Sequence, residues 1–249
     1  MGMERTELRG SQLAQAERRV YERAYVEGLF DSIASRYDLL NHGLSFGIDS
    51  LWRRRMIRYL QRVAPQRILD VATGTADLAI QAASVRPDRI VGVDISSRML
   101  ERARRKVVQR GLQTIISFRR GAAEQLPFNA GTFDAVMVAF GVRNFSDLRA
   151  GLREMARVLR PGGMAAVLEF SQPRPRLVRG FYRAYSRAVI PMIGGIISGN
   201  REAYRYLPTT VSEFPSGEAF ADLLREAGFT CITWHEQTFG IATIYLATT

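Results

Sequence analysis

Short apolar segments alternate with helix-forming segments through the middle of the chain, and this alternation constrains the fold more than any other feature. The segments RILDVAT (67–73), RIVGVDIS (89–96), TIISFRR (114–120), FDAVMVAF (133–140) and MAAVLEF (164–170) are separated by stretches with helical spacing of apolar residues. Most of them are continuously apolar, as strands buried on both faces of a parallel sheet are. The pattern predicts an α/β fold with a doubly wound, mostly parallel sheet.

The C-terminal part of the chain departs from this alternation. A helical segment that ends at Gly228 precedes TCITWHEQT and GIATIYLATT, which a Phe239-Gly240 turn joins. Two adjacent strands with a short connection predict an antiparallel hairpin at the end of the sheet. A turn is also expected at Pro161 to Gly163, ahead of the last parallel strand. We predict an N-terminal helical region (1–64) and one catalytic domain (65–249), with a strandless helical insertion (171–214) at the ligand-binding edge of the sheet.

Composition excludes several classes of protein. The 249 residues are 47% hydrophobic, enough for one large domain with a substantial core. One cysteine and two histidines argue against disulfides and a dedicated zinc site, so no metal is expected. No secretion signal and no apolar run of about 20 residues is present, which predicts a cytoplasmic protein. The net charge of +11 favours an anionic partner: nucleic acid, a membrane surface or an acidic ligand.

The loop after the first predicted strand indicates a nucleotide-type cofactor. Asp70 ends that strand, Gly74 follows, and Asp94 ends the second strand twenty residues after the glycine. Two glycines of the G-x-G-x-x-G pattern are missing, which argues against the pyrophosphate of NAD. A single-glycine loop and the next helix N-terminus suit a smaller anion, the carboxylate of S-adenosylmethionine. Its ammonium would find acceptors at Asp70 or at the Gly74 carbonyl, and Asp94 would accept the ribose hydroxyls.

Each of these carboxylates has a structural alternative. Asp70 could cap the turn, and Asp94 could be the N-cap of the following helix. Ala122 and Ala123 follow the third strand, where adenine is expected, and can offer only backbone N–H groups and small apolar contacts.

Several longer motifs resemble one family, the ubiquinone/menaquinone biosynthesis C-methyltransferases. They are YDLLNHGLSFGIDSLWRR (37–54), LDVATGTADLA (69–79), FGVRNFSD (140–147), LEFSQP (168–173) and the idiosyncratic segment at 191–220. The resemblance implies a class I S-adenosylmethionine-dependent methyltransferase fold with a seven-stranded sheet. It also implies cofactor contacts at Thr75, Asp94, Ala122 and Ala123, and a polyprenyl quinol as the acceptor.

Ring-carbon methylation needs a quinol hydroxyl to lose its proton and the resulting oxyanion to be stabilised. Arg143 and Asn144, after the fourth strand, are the expected catalytic residues, with the guanidinium stabilising the phenolate. A water or His42 would take the proton, and Tyr37 would help to close the cofactor pocket. The alternatives are a salt bridge to a surface acid for Arg143, a structural or exposed histidine for His42, and packing or capping for Tyr37.

The positive charge is concentrated in two segments. Residues 51–67 carry six arginines and no acid, and residues 171–210 carry seven arginines and one glutamate. Arg176, Arg179, Arg183 and Arg187 share one helical face, which predicts peripheral contact with an anionic membrane at the inner face of the cell membrane, or simply a solvated helix. Another phenolic acceptor and, less favoured, RNA binding remain alternatives. A nucleic-acid partner is not expected, and a homo-oligomer stays open.

Overall fold

A computed structural model of the chain describes residues 24–32, 34, 43, 45, 47–173, 180, 210–211 and 214–249. The seven strands are β1 (Arg67–Val71), β2 (Arg89–Asp94), β3 (Ile116–Arg120), β4 (Phe133–Ala139), β5 (Leu159–Phe170), β6 (Thr230–Gln237) and β7 (Ala242–Thr248). The α-helices that pack on the sheet are α1 (Ile48–Leu60), α2 (Asp77–Ala82), α3 (Ser97–Gln109), α4 (Leu148–Val158) and α5 (Glu218–Glu226). Residues 24–32 are also helical.

The sheet has the order β3-β2-β1-β4-β5-β7-β6, and the first five strands in this order are parallel to one another. β7 pairs antiparallel with both β5 and β6. The predicted seven-stranded, mostly parallel sheet with a C-terminal antiparallel hairpin is confirmed. The strand order reverses between β1 and β4, and ligands of open α/β sheets bind outside the carboxyl ends of the strands at such a point.

Two layers of apolar side chains cover the sheet, one on each face. Helices α1, α2 and α3 pack on one face, where Met56 and Ile68 are fully buried. Helices α4 and α5 pack on the other face, around Leu152 and Phe220. The strands between them are buried on both sides, which explains why their sequences are continuously apolar.

The region before the last parallel strand differs from the predicted turn at Pro161 to Gly163. β5 begins at Leu159, which pairs with Phe133, whereas Met164 pairs with Ala135. The residues between are an irregularity within the strand, and Gly162 adopts φ 73° there. The C-terminal Thr249 exchanges backbone hydrogen bonds with both glycines of this irregularity, so the segment extends the sheet instead of ending it.

The described part of the chain contains no helix long and apolar enough to cross a bilayer. Only a few residues of the predicted insertion (171–214) and of the predicted N-terminal region (1–64) before Gly47 are described. These two boundaries therefore stay predictions, as does the basic helical face of Arg176, Arg179, Arg183 and Arg187, which lies outside the described residues.

Candidate functional site

A cleft lies at the carboxyl edge of the parallel strands, at the point where the strand order reverses. It encloses about 690 Å³, including the part open to solvent, and loops after β1, β2, β3 and β4 line it. Gly74, Asp94, Ala123 and Asn144 are the predicted site residues among its lining. Most of the lining is apolar, with a few polar side chains among it, which is the composition typical of a site for an organic ligand.

The floor of the cleft is a close approach between the loops after β1 and β4. A side chain at Gly141 would place its Cβ 2.6 Å from the Cβ of Ala72, so the approach requires glycine there. Ala72 and Phe140, which line the cleft on either side, adopt φ values of 51° and 59°. Non-glycine residues rarely adopt this left-handed conformation, and such strain concentrates at functional sites.

Asp94 connects the loops after β1 and β2. One carboxylate oxygen accepts the Gly74 N–H at 2.8 Å, and the other accepts the Ser96 N–H at 2.9 Å. Burial raises the pKa of Asp94 to about 6, and hydrogen bonds from these backbone groups oppose that rise. The alternative role as a helix N-cap falls to Ser96, whose hydroxyl accepts the Met99 N–H at 3.0 Å. Asp94 therefore remains at the cleft with acceptor capacity for a ligand hydroxyl.

Asp70 lies below the cleft and is 1% exposed. Its carboxylate accepts the Thr73 hydroxyl at 2.5 Å and a backbone hydrogen bond from Ala79 near the start of α2. Burial raises the pKa of Asp70 to about 7, although the Thr73 hydrogen bond and the nearby Arg53 both favour the charged form. These contacts match the structural alternative of a residue that fixes the turn, and Asp70 is not part of the described cleft lining.

The remaining predicted cofactor residues differ in their access to the cleft. Ala123 lines it and is 8% exposed, whereas the neighbouring Ala122 forms an isolated β-bridge with Gln125. Thr75 is 2% exposed, and its hydroxyl accepts a hydrogen bond from Lys106 at 3.2 Å. The N–H of Gly74 donates its hydrogen bond to Asp94. Gly74 shapes the loop through its left-handed conformation, with φ 56°.

Arg143 forms a buried ion pair that the sequence analysis missed. Its Nη1 lies 2.6 Å from Oε1 of Glu169 and donates a second hydrogen bond to the Phe140 carbonyl at 2.7 Å. The side chains of Arg143 and Glu169 are 8% and 1% exposed. The alternative of a salt bridge to a surface acid is therefore wrong in its partner, because the acid that Arg143 contacts is buried. Glu169 could have been found as the one acid inside the apolar segment MAAVLEF.

Two polar atoms beside this ion pair have no hydrogen-bond partner in the described structure. They are Nε of Arg143, a donor, and Oδ1 of Asn144, an acceptor. The Nδ2 group of Asn144 faces the Phe140 carbonyl at 3.5 Å, and Asn144 lines the cleft. A buried polar atom without a partner costs free energy unless a ligand or water satisfies it. One donor and one acceptor on adjacent residues suit the oxygen of a hydroxyl-bearing acceptor.

The N-terminal segment covers the other end of the cleft. Val26 and Phe30 line the cleft, and Asp31 accepts a 2.5 Å hydrogen bond from the Ser96 hydroxyl. This contribution was not predicted at the level of residues, because an N-terminal helix gives no local signal of where it docks. Tyr37 and His42 lie outside the described residues, so their roles stay predictions.

Metal-ligating side chains do not cluster anywhere in the described ranges: no group of three or more His, Cys, Asp or Glu residues could hold an ion there. The polar side chains of the cleft are instead two carboxylates, an amide and a hydroxyl, on Asp94, Glu124, Asn144 and Ser146, and such groups bind hydroxyl and amine groups of organic molecules.

Comparison with known proteins agrees with this arrangement over most of the chain. The model of the ubiE/COQ5 methyltransferase family matches residues 18–249. A demethylmenaquinone methyltransferase of Bacteroides fragilis is 46% identical over 224 residues, which are 90% of this chain and 91% of that protein. A ubiquinone/menaquinone biosynthesis C-methyltransferase UbiE of Geobacter sulfurreducens is 46% identical over 222 residues, 88% of this chain and 86% of that protein.

Solved structures support the fold independently of close sequence similarity. The crystal structure of an S-adenosylmethionine-dependent methyltransferase of Thermotoga maritima superposes with a TM-score of 0.62 at 20% identity, covering 90% of this chain and 99% of that one. At this identity the likeness bears on the fold alone. The architecture is that of the class I methyltransferases.

Proposed function

The chain belongs to the ubiE/COQ5 methyltransferase family, and we propose that it transfers a methyl group from S-adenosylmethionine to a ring carbon of a polyprenyl quinol precursor. The acceptor is a demethylmenaquinol, or the equivalent benzoquinol of ubiquinone biosynthesis. The enzyme is a C-methyltransferase of quinone biosynthesis.

The cofactor fits the half of the cleft formed by the loops after β1, β2 and β3. Asp94 accepts hydroxyls of the ribose, Ala123 contacts the adenine, and the Gly74 loop lets the methionine part approach the backbone. When bound, S-adenosylmethionine supplies a methyl group on a positively charged sulfur, which a carbon nucleophile can displace. The buried Asp70 stabilises the loop from below through Thr73.

The acceptor occupies the half of the cleft at the end of β4. Its hydroxyl must lose a proton so that the adjacent ring carbon becomes nucleophilic, and that carbon later loses its own proton to restore the aromatic ring. Oδ1 of Asn144 accepts a hydrogen bond from the acceptor's hydroxyl group. Nε of Arg143 donates a hydrogen bond to the hydroxyl oxygen as negative charge develops on it. The adjacent unsatisfied donor and acceptor are the observation that carries this assignment.

Arginine stays protonated in proteins, so Arg143 stabilises the phenolate and does not act as the base. Glu169 holds the guanidinium through a 2.6 Å ion pair, and the Phe140 carbonyl fixes the same nitrogen. The proton passes to water or to His42. Tyr37 closes the cofactor end. The polyprenyl tail stays in the bilayer while the protein contacts the anionic surface at the inner face of the cell membrane.

The test is incubation of the full chain with methyl-labelled S-adenosylmethionine and three acceptors: a short-tailed demethylmenaquinol, the matching benzoquinol and a soluble phenol. We expect label on a ring carbon of one of the quinols, and a thermal shift with the cofactor alone. Label on the soluble phenol only would favour the alternative of a different phenolic acceptor. No transfer and no thermal shift would refute the proposal.

A pair of asparagine variants assigns the reaction to the cleft. Asn144→Leu, which keeps the size of the side chain, should lose most transfer while keeping the cofactor-induced thermal shift. Asn129→Ala, at an exposed asparagine in the loop before β4, is the control and should keep both. Equal activity of the two variants would remove Asn144 from the reaction.

A further inference from the structure

One face of α1 presents a row of arginines to solvent. Leu51, Arg54, Arg55 and Arg58 recur at helical spacing and are all exposed, whereas Trp52, Met56, Ile57 and Leu60 on the opposite face are buried. In the described ranges, none of Arg54, Arg55 and Arg58 forms an ion pair with a carboxylate. Three unneutralised positive charges therefore lie within about one and a half turns of helix.

An exposed aromatic residue adjoins this row. Phe239 is at the tip of the hairpin between β6 and β7, and it is 71% exposed with a left-handed φ of 57°. The Trp52 indole donates a 2.9 Å hydrogen bond to Thr238, and Arg55 bonds to Gln237 at 3.3 Å. These contacts attach the hairpin tip to α1. Leu51 is also largely exposed, at 58%, so apolar groups flank the arginines on both sides.

This surface is at the same edge of the sheet as the cleft. Gln237 pairs with Ala242, which in turn pairs with Phe170 at the carboxyl end of β5. The Trp52 ring contacts Phe140, which lines the cleft, with centroids 6.2 Å apart. The buried Trp52 thus links α1, which carries the arginine row, to the wall of the cleft.

We propose that Leu51, Arg54, Arg55, Arg58 and Phe239 form a docking surface for an anionic lipid bilayer, which directs the mouth of the cleft toward the membrane. Arginines attract anionic headgroups, and flanking apolar side chains insert at the boundary between headgroups and acyl chains. The arginines would serve nucleic acid as well, and Phe239 could stack on a base, but the exposed aliphatic side chain of Leu51 offers nothing to a nucleotide and suits insertion among acyl chains. The inference rests on the proposed function in one respect, because a polyprenyl acceptor is delivered from a membrane.

The experiment is sedimentation of the full chain with phosphatidylcholine vesicles that contain or lack phosphatidylglycerol. We expect binding only to the anionic vesicles, and a roughly 100-fold weaker binding for Arg54→Gln/Arg55→Gln/Arg58→Gln. The control Arg67→Gln/Arg89→Gln/Arg110→Gln removes the same charge from exposed positions at the opposite edge of the sheet and should bind nearly as the wild type does. Phe239→Ser should weaken binding about tenfold with the salt dependence retained.

Three results would overturn the inference: no binding of the wild type to anionic vesicles, equal losses in the two triple variants, or tighter binding of an RNA oligonucleotide than of vesicles at the same salt. Methyl transfer to a water-soluble, short-tailed quinol is measured in parallel and should be unchanged in all three variants. If the wild type methylates no quinol, the proposed function fails whether or not the vesicles bind.

Discussion

Buried charge is held differently in the two halves of the cleft. In the cofactor half, Asp70 and Asp94 have no direct ion-pair partner in the described structure, and burial raises their pKa values to about 7 and about 6. In the acceptor half, Arg143 and Glu169 neutralise each other at 2.6 Å. In the first half Asp94 keeps acceptor capacity for a ligand hydroxyl while Asp70 stabilises the loop beneath the cleft, whereas the second half fixes a cation in one orientation.

The difference has a structural cause in the loops. The carboxylates of the cofactor half are held by backbone N–H groups and a hydroxyl. Arg53, whose charge favours the ionised form of Asp70, forms its ion pair with Asp49 instead. In the acceptor half, the two charged residues belong to neighbouring parallel strands. Arg143 follows β4 and Glu169 lies near the end of β5, so both are at the carboxyl edge of the sheet. A buried ion pair adds little net stability, but breaking one by removing a partner is costly.

Removing one charge of the Arg143–Glu169 pair should have the largest effect. Glu169→Gln leaves a buried guanidinium without its counter-ion, so we expect the free energy of unfolding to fall by about 3–5 kcal/mol. Chemical denaturation measures this loss. The matched control is Glu101→Gln, which breaks an ion pair with Arg105 whose side chains are 65% and 66% exposed, and should cost less than about 1 kcal/mol. Similar losses of unfolding free energy in both variants would mean that the burial of an ion pair does not determine the cost of breaking it.

Removing the charge of Asp94 should mainly weaken cofactor binding. Asp94→Asn loses charged hydrogen bonds to the ribose, each contributing about 1.5–3 kcal/mol, so affinity for S-adenosylmethionine should fall about 100-fold. In the wild type, affinity should also decline as the pH falls below about 6, where Asp94 becomes protonated, and the variant should lack this decline. Calorimetric titration from pH 5 to 8 tests both points. An unchanged affinity would take Asp94 out of cofactor binding.

The smallest effect is expected at Asp70, as a pH dependence of stability. Its folded-state pKa of about 7 lies above the ordinary 3.8, so its contribution to stability is full below about pH 4 and is lost as the pH rises through 7. Asp70→Asn removes the buried charge. Relative to the wild type, the variant should therefore gain about 2 kcal/mol between pH 5 and pH 7 in the absence of cofactor. If the stability difference between the variant and the wild type stays constant with pH, the pKa of Asp70 is not raised by burial and the prediction fails.

The fold was predictable from local patterns, because continuously apolar strands and a terminal hairpin leave few ways to build the sheet. The cleft position followed from the carboxyl ends of those strands, and Gly74, Asp94, Ala123 and Asn144 do lie there. The side-chain partners were not predictable in the same way. That Arg143 binds Glu169, 26 residues away, depends on the register of β4 and β5 and not on any local spacing.

Which side chains reach the cleft or the surface could not be predicted from the sequence either. Thr75 follows the cofactor loop directly, yet its hydroxyl contacts Lys106 of α3, a residue 31 positions away. Phe239 was predicted only as part of a turn, and its exposure beside the arginines of α1 depends on how the hairpin packs against that helix. Long-range packing decides both cases.

The central claim is that one half of the cleft binds the cofactor and the other half stabilises the acceptor. Measuring turnover and cofactor affinity together in Arg143→Ala tests this claim most directly. Loss of the group that stabilises the developing oxyanion should lower kcat roughly 100- to 1,000-fold. The dissociation constant for S-adenosylmethionine should stay within about threefold of the wild-type value, because the proposed cofactor contacts lie at the other strand ends. A parallel loss of turnover and of cofactor affinity would contradict this division and remove Arg143 from the chemistry.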